Sequence, residues 1–242
     1  MNKLVSIVIP AHNEEENIIV IVDRIEKVFE SLNYNFEILV IDDGGTDKTL
    51  RVIEDLAKIK NNFFYIEFSR NFGHQPALKA GLDYAKGDCV ISLDADLQHP
   101  PELFIQMLAK WEEGYEVVYT RRLEDKKQSF KKRKSSTFFY KLLNSLSDVE
   151  LESGTADFRL LDRIAVNAFK DFTENEPFIR GLVKLLGFKQ YAIDYVPEQR
   201  FAGASKYNLS KMKKLAIQGV TSLSIKPLNT PIYFGFFFFF FF

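Results

Sequence analysis

The chain alternates short apolar runs with longer segments whose apolar residues return every three or four positions. LVSIVI (4–9), FEILVI (36–41), FFYIEF (63–68), DCVISL (88–93) and YEVVYT (115–120) have the length and β-branched or aromatic content of buried strands. After the first run, Ile18, Val22, Ile25, Phe29 and Leu32 step along one helical face, with Asn13 as the expected cap and Glu14 to Glu16 in the first turn. Further helices are expected from about Lys48 to Lys60, from near Pro76, and from near Pro100 or Pro101, proline being suited to a first turn. Strands alternating with helices imply βαβ units and a largely parallel sheet. Ligands of such sheets bind beyond the carboxyl ends of the strands. The loops PAHNEE, DDGGTD, SRNFGH and DADLQHPPE each follow a strand, so they are expected to share one edge.

After Thr120 the pattern changes. RRLEDKKQSFKKRK (121–134) is strongly basic, and a helix-like segment (135–146), the loop SDVELESGTAD, a short strand FRLL and further helices follow. NLSKMKKLAIQGVTSLS (208–224) places Leu209, Met212, Leu215 and Ile217 toward one side of a helix flanked by Lys211, Lys213 and Lys214, the pattern of an interfacial membrane helix. From Ile232 the chain reads IYFGFFFFFFF, shorter than the roughly 20 residues a spanning helix needs. It is read as the start of a truncated transmembrane segment.

Composition narrows this only a little. At 242 residues, 46% hydrophobic and 27% charged with net charge −1, the chain can bury a full core and shows no bias toward nucleic acid. The single cysteine, Cys89, excludes an internal disulfide and fits a reducing compartment. MNKLVSIVIP has too short an apolar run for a signal peptide.

The chemistry lies in the loops. Asp94 and Asp96 stand two apart just past a strand, so both can converge on one ion, and Gln98 continues the spacing. Hard oxygen donors suit Mg²⁺ or Mn²⁺, which keep open positions for phosphate oxygens. An Asp-x-Asp triplet alone is common on surfaces; its place after a buried strand in the shared crevice gives it weight. Asp42 and Asp43 end another strand before two glycines and can accept hydrogen bonds from a ribose or a base, Asp47 being available to cap the next helix. A metal beside a nucleoside site suggests a nucleoside diphosphate as leaving group. Neither GxxxxGK[ST] nor GxGxxG is present.

Six segments carry a resemblance: VSIVIPAHNEEENI, IDDGGTDKT, RNFGHQPALKAGLDYAKGD, SLDADLQHPPE, GTADFRLLDR and QRFAGASKYN. In this order they resemble the motifs of family 2 glycosyltransferases, and more narrowly the polyprenyl-phosphate group of bactoprenol glucosyltransferases and dolichol-phosphate mannose synthases. The resemblance implies an α/β fold of the GT-A type, a Rossmann-like mostly parallel sheet flanked by helices. It implies inverting transfer of a hexose from a nucleotide sugar, expected to be UDP-glucose, to a polyprenyl phosphate such as undecaprenyl phosphate. The alternatives are a GDP-mannose-dependent synthase and a truncated chain that binds nucleotide sugar or lipid without turnover. No QxxRW motif of polysaccharide-building relatives is present.

Carried over residue by residue, Pro10, Ala11, Asn13 and Glu14 would line the nucleotide pocket, and Asp43 with Asp42 would contact base or ribose. Asp94, Asp96 and Gln98 would hold Mg²⁺ or Mn²⁺ on the diphosphate. Asp157 falls on the family's candidate catalytic carboxylate, and Arg200, Ser205 and Lys206 on a loop that closes over phosphates. The acceptor's charge needs cations, for which Arg122, Arg133 and Arg200 are the candidates. Arg159 and Arg163 are read as ion pairs holding the fold. Two positions depart from the pattern: Gly45 stands where the family usually has Ser, and His12 where an aromatic is common, the latter read as a packing variation. The expected organisation is a catalytic domain (1–207), with a nucleotide-sugar half (1–120) and an acceptor half (121–207), a juxtamembrane helix (208–224) and a truncated transmembrane segment (225–242). A membrane location follows, with the catalytic domain on the cytoplasmic side and homo-oligomers allowed.

Overall fold

The computed structural model describes residues 2–123, 152, 154–172, 178–198, 235–236 and 238–240. Seven strands form one sheet: β1 (Leu4–Ala11), β2 (Asn35–Asp42), β3 (Phe63–Glu67), β4 (Cys89–Ser92), β5 (Val117–Arg122), β6 (Thr155–Asp162) and β7 (Gln190–Tyr195). Their order is β3-β2-β1-β4-β6-β5-β7. β1 pairs parallel with β2 and β4, β2 with β3, and β5 with β7. β6 alone runs antiparallel, wedged between β4 and β5. The two expected halves of the catalytic domain thus share one sheet, and residue 120 lies inside β5. β7 falls where the sequence suggested only helices.

Helices cover both faces, which is why β1, β2 and β4 read as near-continuous apolar runs. One face carries α1 (Ile18–Phe29), α2 (Thr49–Ile59) and α4 (Phe104–Glu112, entered through the 3₁₀ turn Pro101–Leu103). There Ile21, Ile25, Ile53 and Met107 pack on Ile7, Ile9, Val40 and Ile91. The other face carries α3 (His74–Tyr84), α5 (Arg163–Lys170) and α6 (Ile179–Leu185), whose Leu78, Val166 and Leu182 pack on Val8, Ile41, Val90 and Leu161. α1 buries six apolar side chains, each worth about 2 kcal/mol, so packing rather than capping holds it.

Asn13 does not cap α1. The helix starts at Ile18, and the Glu14 carbonyl accepts from the amides of Asn17 (2.9 Å) and Ile18 (3.2 Å), closing a separate turn first. Asn13 instead adopts a left-handed φ of 55°. Pro76 sits in the first turn of α3, two residues after its start. The cap position of α2 is Lys48 rather than Asp47, but the Asp47 Oδ1 just before it accepts from the Thr49 amide, the first of the helix, at 2.9 Å.

Two glycines set close approaches that position the site. A Cβ on Gly81 would collide with Val8 and Ile41, so glycine lets α3 lie directly on the sheet. A Cβ on Gly44 (φ 58°) would collide with the backbone of Arg70 and Asn71, so glycine lets the loop after β3 dock against the loop after β2.

Among the described residues, no helix is long and apolar enough to cross a membrane. The expected helix over 208–224 and most of 225–242 lie outside the described residues.

Candidate active site

The loops after β1, β2, β3 and β4 meet at one sheet edge, and the antiparallel β6 brings its amino end, Thr155 to Asp157, to the same edge. Pro10 shows how the sequence fits this edge. β4 stops pairing with β1 at Val8↔Ser92, so Pro10, which has no N–H, comes after that ladder has ended.

On one wall, hydrogen bonds knit the loops together. The Asp43 carboxylate accepts from the amides of Phe72 (2.7 Å) and Gly73 (3.0 Å). Asn13 Oδ1 accepts from the Thr46 amide at 2.7 Å, and the Glu14 amide donates to Thr49 Oγ1 at 2.7 Å. His12 does more than fill space. Its Nδ1 lies 2.9 Å from the Asp43 carbonyl and its Nε2 3.0 Å from Asn71 Nδ2. A carbonyl can only accept, so Nδ1 donates to it and Nε2 accepts from Asn71.

Asp42 is different from its neighbour. It is 2% exposed, and among the described residues its Oδ2 meets only the Gly45 amide, at 3.5 Å, and its buried Oδ1 has no hydrogen-bond partner. Burial pushes its carboxyl above the usual range, with Glu67 and Asp47 adding repulsion that the Gly45 amide only partly offsets. A Cβ at position 45 would lie 3.3 Å from that lone oxygen, so Gly45 leaves the space beside it open.

The loop after β4 forms the floor. Asp96 Oδ1 accepts from the Gln98 amide at 3.1 Å, across Leu97, whose φ is 61°. A left-handed leucine is strained, and it persists here with its side chain buried. The Asp94 amide donates to Nδ1 of His99 at 3.1 Å. His99 is wholly buried, stacked on Phe158 at 5.0 Å and edge-on to Tyr195. Burial lowers its imidazole pKa. Its Nε2 faces Arg122 Nη2 at 3.0 Å, and Arg122 Nε donates to the Tyr195 hydroxyl at 3.0 Å.

His74, in the first turn of α3, spans the crevice. Its Nε2 is 2.7 Å from Asp94 Oδ1 and its Nδ1 is 4.0 Å from Asp157 Oδ2. Burial would lower its imidazole, but the charge of Asp94, the hydrogen bond to it and Asp157 raise it to about 9. Burial would likewise raise Asp94, yet His99, His74 and Arg122 hold it well below the usual carboxylate range.

The opposite wall is charged. Asp157 Oδ1 lies 3.4 Å from both Arg159 Nη2 and Arg180 Nε, while Oδ2 accepts from Gln75 Nε2 at 3.0 Å. Burial works against ionisation of Asp157, but Arg180, Arg159 and His74 outweigh it and keep the carboxyl low. Ser92 Oγ donates to the Asp157 carbonyl at 2.6 Å, tying β4 to β6. Arg159 fits its structural reading, being 2% exposed. Arg163 pairs with no acid among the described residues; it donates to the carbonyls of Ala85 and Gly87.

The edge therefore gathers Pro10, Ala11, Asn13, Glu14, Asp42, Asp43, Asp94, Asp96, Gln98, Arg122 and Asp157 on five neighbouring strand ends. Arg133, Arg200, Ser205 and Lys206 lie outside the described residues. The chain leading toward Arg200 does reach the floor, since the Glu198 amide donates to the Gln98 carbonyl at 3.2 Å. Sequence reasoning missed His74, Gln75, His99, Arg180 and Tyr195. The first two lay in a quoted motif and His99 adjoined Gln98; Arg180, in IRGLVKL, carried no signal.

Fold and site together define a GT-A-like α/β protein with a mostly parallel sheet. The family model for glycosyl transferase family 2 matches residues 6–169, and the chain belongs to that family. It is 44% identical over 230 residues to the uncharacterized glycosyltransferase YkcC of Bacillus subtilis (strain 168), covering 95% of this chain and 71% of that one. It is 39% identical over 233 residues to the bactoprenol glucosyl transferase of Shigella phage SfV, covering 96% and 76%. Two solved structures share the fold. Mannosyl-3-phosphoglycerate synthase from Rubrobacter xylanophilus has a TM-score of 0.61 at 18% identity, covering 91% of this chain and 73% of that one. Mannosyltransferase PcManGT from Pyrobaculum calidifontis, in complex with GDP-Man and Mn²⁺, has a TM-score of 0.56 at 16% identity, covering 91% and 62%. The protein is thus a family 2 glycosyltransferase and a homologue of bactoprenol glucosyl transferases.

Proposed function

We propose that the protein transfers glucose from UDP-glucose to a polyprenyl phosphate at the membrane, releasing UDP and inverting the anomeric carbon. The observation that carries this reading is the crevice itself. A buried carboxylate oxygen with no partner among the described residues, on Asp42, lies on one wall, and a carboxylate held ionised, Asp157, on the other, with Asp94 and Asp96 between them. The name of the SfV relative supports the sugar and the lipid.

In this reading Asp42 Oδ1 accepts from the nucleoside, and Asp43 holds the loop after β3 against it. Pro10, Ala11, Asn13 and Glu14 line the pocket. Two carboxylates and an amide oxygen form a donor set that suits Mg²⁺ or Mn²⁺; among the described residues no three His, Cys, Asp or Glu side chains cage an ion without a ligand's help. Asp94, Asp96 and Gln98 would hold it, and the ion would neutralise the diphosphate leaving group.

An oxygen of the acceptor phosphate forms the new bond to the anomeric carbon as the bond to the diphosphate breaks. A phosphate monoester has its second pKa near about 6, so this oxygen is largely ionised already at neutral pH. That matches Asp157, whose depressed pKa makes it a poor base: its role is to orient the acceptor or the sugar. Arg122, with Arg133, Arg200, Ser205 and Lys206, supplies the phosphate contacts. Residues 208–224 lie at the membrane surface and 225–242 enter the bilayer, with the catalytic domain on the cytoplasmic face.

Calorimetric titration with UDP and with GDP, each with Mn²⁺ or EDTA, tests the donor. Transfer from UDP-glucose to undecaprenyl phosphate in vesicles tests the reaction. Metal-dependent UDP binding and transfer are expected, and Asp96→Asn should cut turnover about a thousandfold without unfolding the protein. A preference for GDP would move the donor to GDP-mannose. Binding of neither nucleotide would leave a non-catalytic chain as the better account.

A further inference from the structure

Gln75 holds two elements at once. Its Nε2 donates to Asp157 Oδ2 at 3.0 Å, and its Oε1 accepts from the amide of Ile179, the first residue of α6, at 3.2 Å. The orientation of this side-chain amide is not a free choice. A backbone N–H can only donate, so Oε1 must face Ile179, and Nε2 is left to face the carboxylate. The same nitrogen lies 3.3 Å from His74 Nδ1.

Among the described residues around the Asp157 carboxylate, Gln75 makes the shortest side-chain contact, against 3.4 Å for Arg159 and Arg180 and 4.0 Å for His74. It is also borne by a well-fixed element, since α3 lies against β1 through Gly81. Arg180 follows Ile179 directly, so the tether that fixes Ile179 also fixes the start of the guanidinium that faces Asp157.

We propose that Gln75 is a positioning residue: it sets the rotation of the Asp157 carboxylate and locks Asp157 and the first turn of α6 into one unit. This rests on the reading of Asp157 as the carboxylate that orients the acceptor or the sugar. Misplacing such a group by about 1 Å can cost on the order of a hundredfold in rate.

Two variants separate positioning from simple support. Gln75→Glu keeps an acceptor for the Ile179 amide but presents no donor to Asp157, whereas Gln75→Leu removes both bonds. Transfer from UDP-glucose to undecaprenyl phosphate in vesicles should fall about a hundredfold in kcat for both, with KM for UDP-glucose changed less than about twofold. UDP binding with Mn²⁺ should be unchanged in both. A Gln75→Glu protein with wild-type kcat would overturn the proposal, because the tether to α6 alone would then suffice; so would a large rise in KM with kcat intact. If the wild-type protein transfers no sugar, the functional reading fails, and crystal structures of the two variants decide Gln75 separately. A rotated Asp157 carboxylate sustains its positioning role, and an unmoved one ends it.

Discussion

The two walls of the crevice are held by different physics. On the wall formed by the ends of β1, β2 and β3, loops are stitched by amides and an imidazole bridge: Phe72 and Gly73 to Asp43, Thr46 to Asn13, His12 to both Asp43 and Asn71. On the opposite wall, at the start of β6, one carboxylate faces two guanidinium groups at 3.4 Å. Hydrogen bonds to backbone fix the shape of the loops, which in the proposed reading suits a pocket reading the edges of a base and ribose. Opposed buried charges fix a field, which in the proposed reading suits a wall that receives a phosphate. The first kind tolerates the loss of one partner better than the second, because a lone buried charge is far more costly than a lone buried amide.

The largest expected effect therefore comes from Asp157→Asn. Side-chain volume is kept, but Arg159 and Arg180 lose their counter-charge in a place where the carboxylate was only 11% exposed. Urea unfolding should show a loss of about 3 kcal/mol, the scale for breaking a buried ion pair from one side, and kcat should fall about a hundredfold. Unchanged stability would mean that the guanidinium groups find other partners and that charge does not hold this wall.

The adjacent pair Asp42 and Asp43 offers a sharper comparison within the first wall. Asp43→Asn weakens two amide contacts to a charged acceptor and should cost about 1–2 kcal/mol. Asp42→Asn removes a charge that burial already disfavours, and should change stability by less than about 0.5 kcal/mol. In the proposed reading the order reverses for binding, with Asp42→Asn weakening UDP about tenfold, the worth of one hydrogen bond to a charged group. The sign with pH follows from the raised Asp42 pKa. Its ionisation opposes folding, so Asp42→Asn should gain stability relative to wild type as pH rises through the carboxylate range. Equal effects of the two substitutions in both assays would erase the distinction between the buried free oxygen and the engaged one.

The same difference explains what could be read along the chain. β1 to β5 were visible to within a residue or two: burial on both faces leaves β1, β2 and β4 few polar interruptions, and the more exposed edge strand β3 stands out by its aromatic and β-branched run. β6 was visible only as FRLL. Asp157 and the 2% exposed Arg159 interrupt its apolar run, and nothing local reveals that it enters the sheet antiparallel between β4 and β5. The alternating edge strand QYAIDY was lost for a related reason, its apolar set being too short to stand out. Among site residues, Asp42, Asp94 and Asp96 declared themselves by type and by following a strand, and Asp157 only through the family resemblance. Gln75, His99 and Arg180 did not, since their part depends on which helix lands on which strand. Asn13 was misassigned because a cap and a left-handed loop residue draw on the same side-chain chemistry.

The smallest effect tests whether the two walls communicate. His74 alone lies within 4.0 Å of both Asp94 and Asp157 among the contacts described for these carboxylates. Its pKa stands at about 9 against an ordinary 6.5. A raised folded-state pKa means that the contact stabilises fully below about 6.5 and that this contribution is lost as pH rises through about 9. With the side chain 40% exposed, water screens the pair, and the contribution should stay below about 1 kcal/mol. Thermal unfolding in EDTA should thus show wild type slightly more stable than His74→Gln at pH 6, with the gap closing by pH 10. In the proposed reading Mn²⁺ competes for Asp94, so adding it with UDP should shrink the gap at pH 6. A gap that ignores pH would mean that His74 is held by shape alone, and that the charged wall and the loop after β4 do not share a proton-bearing link.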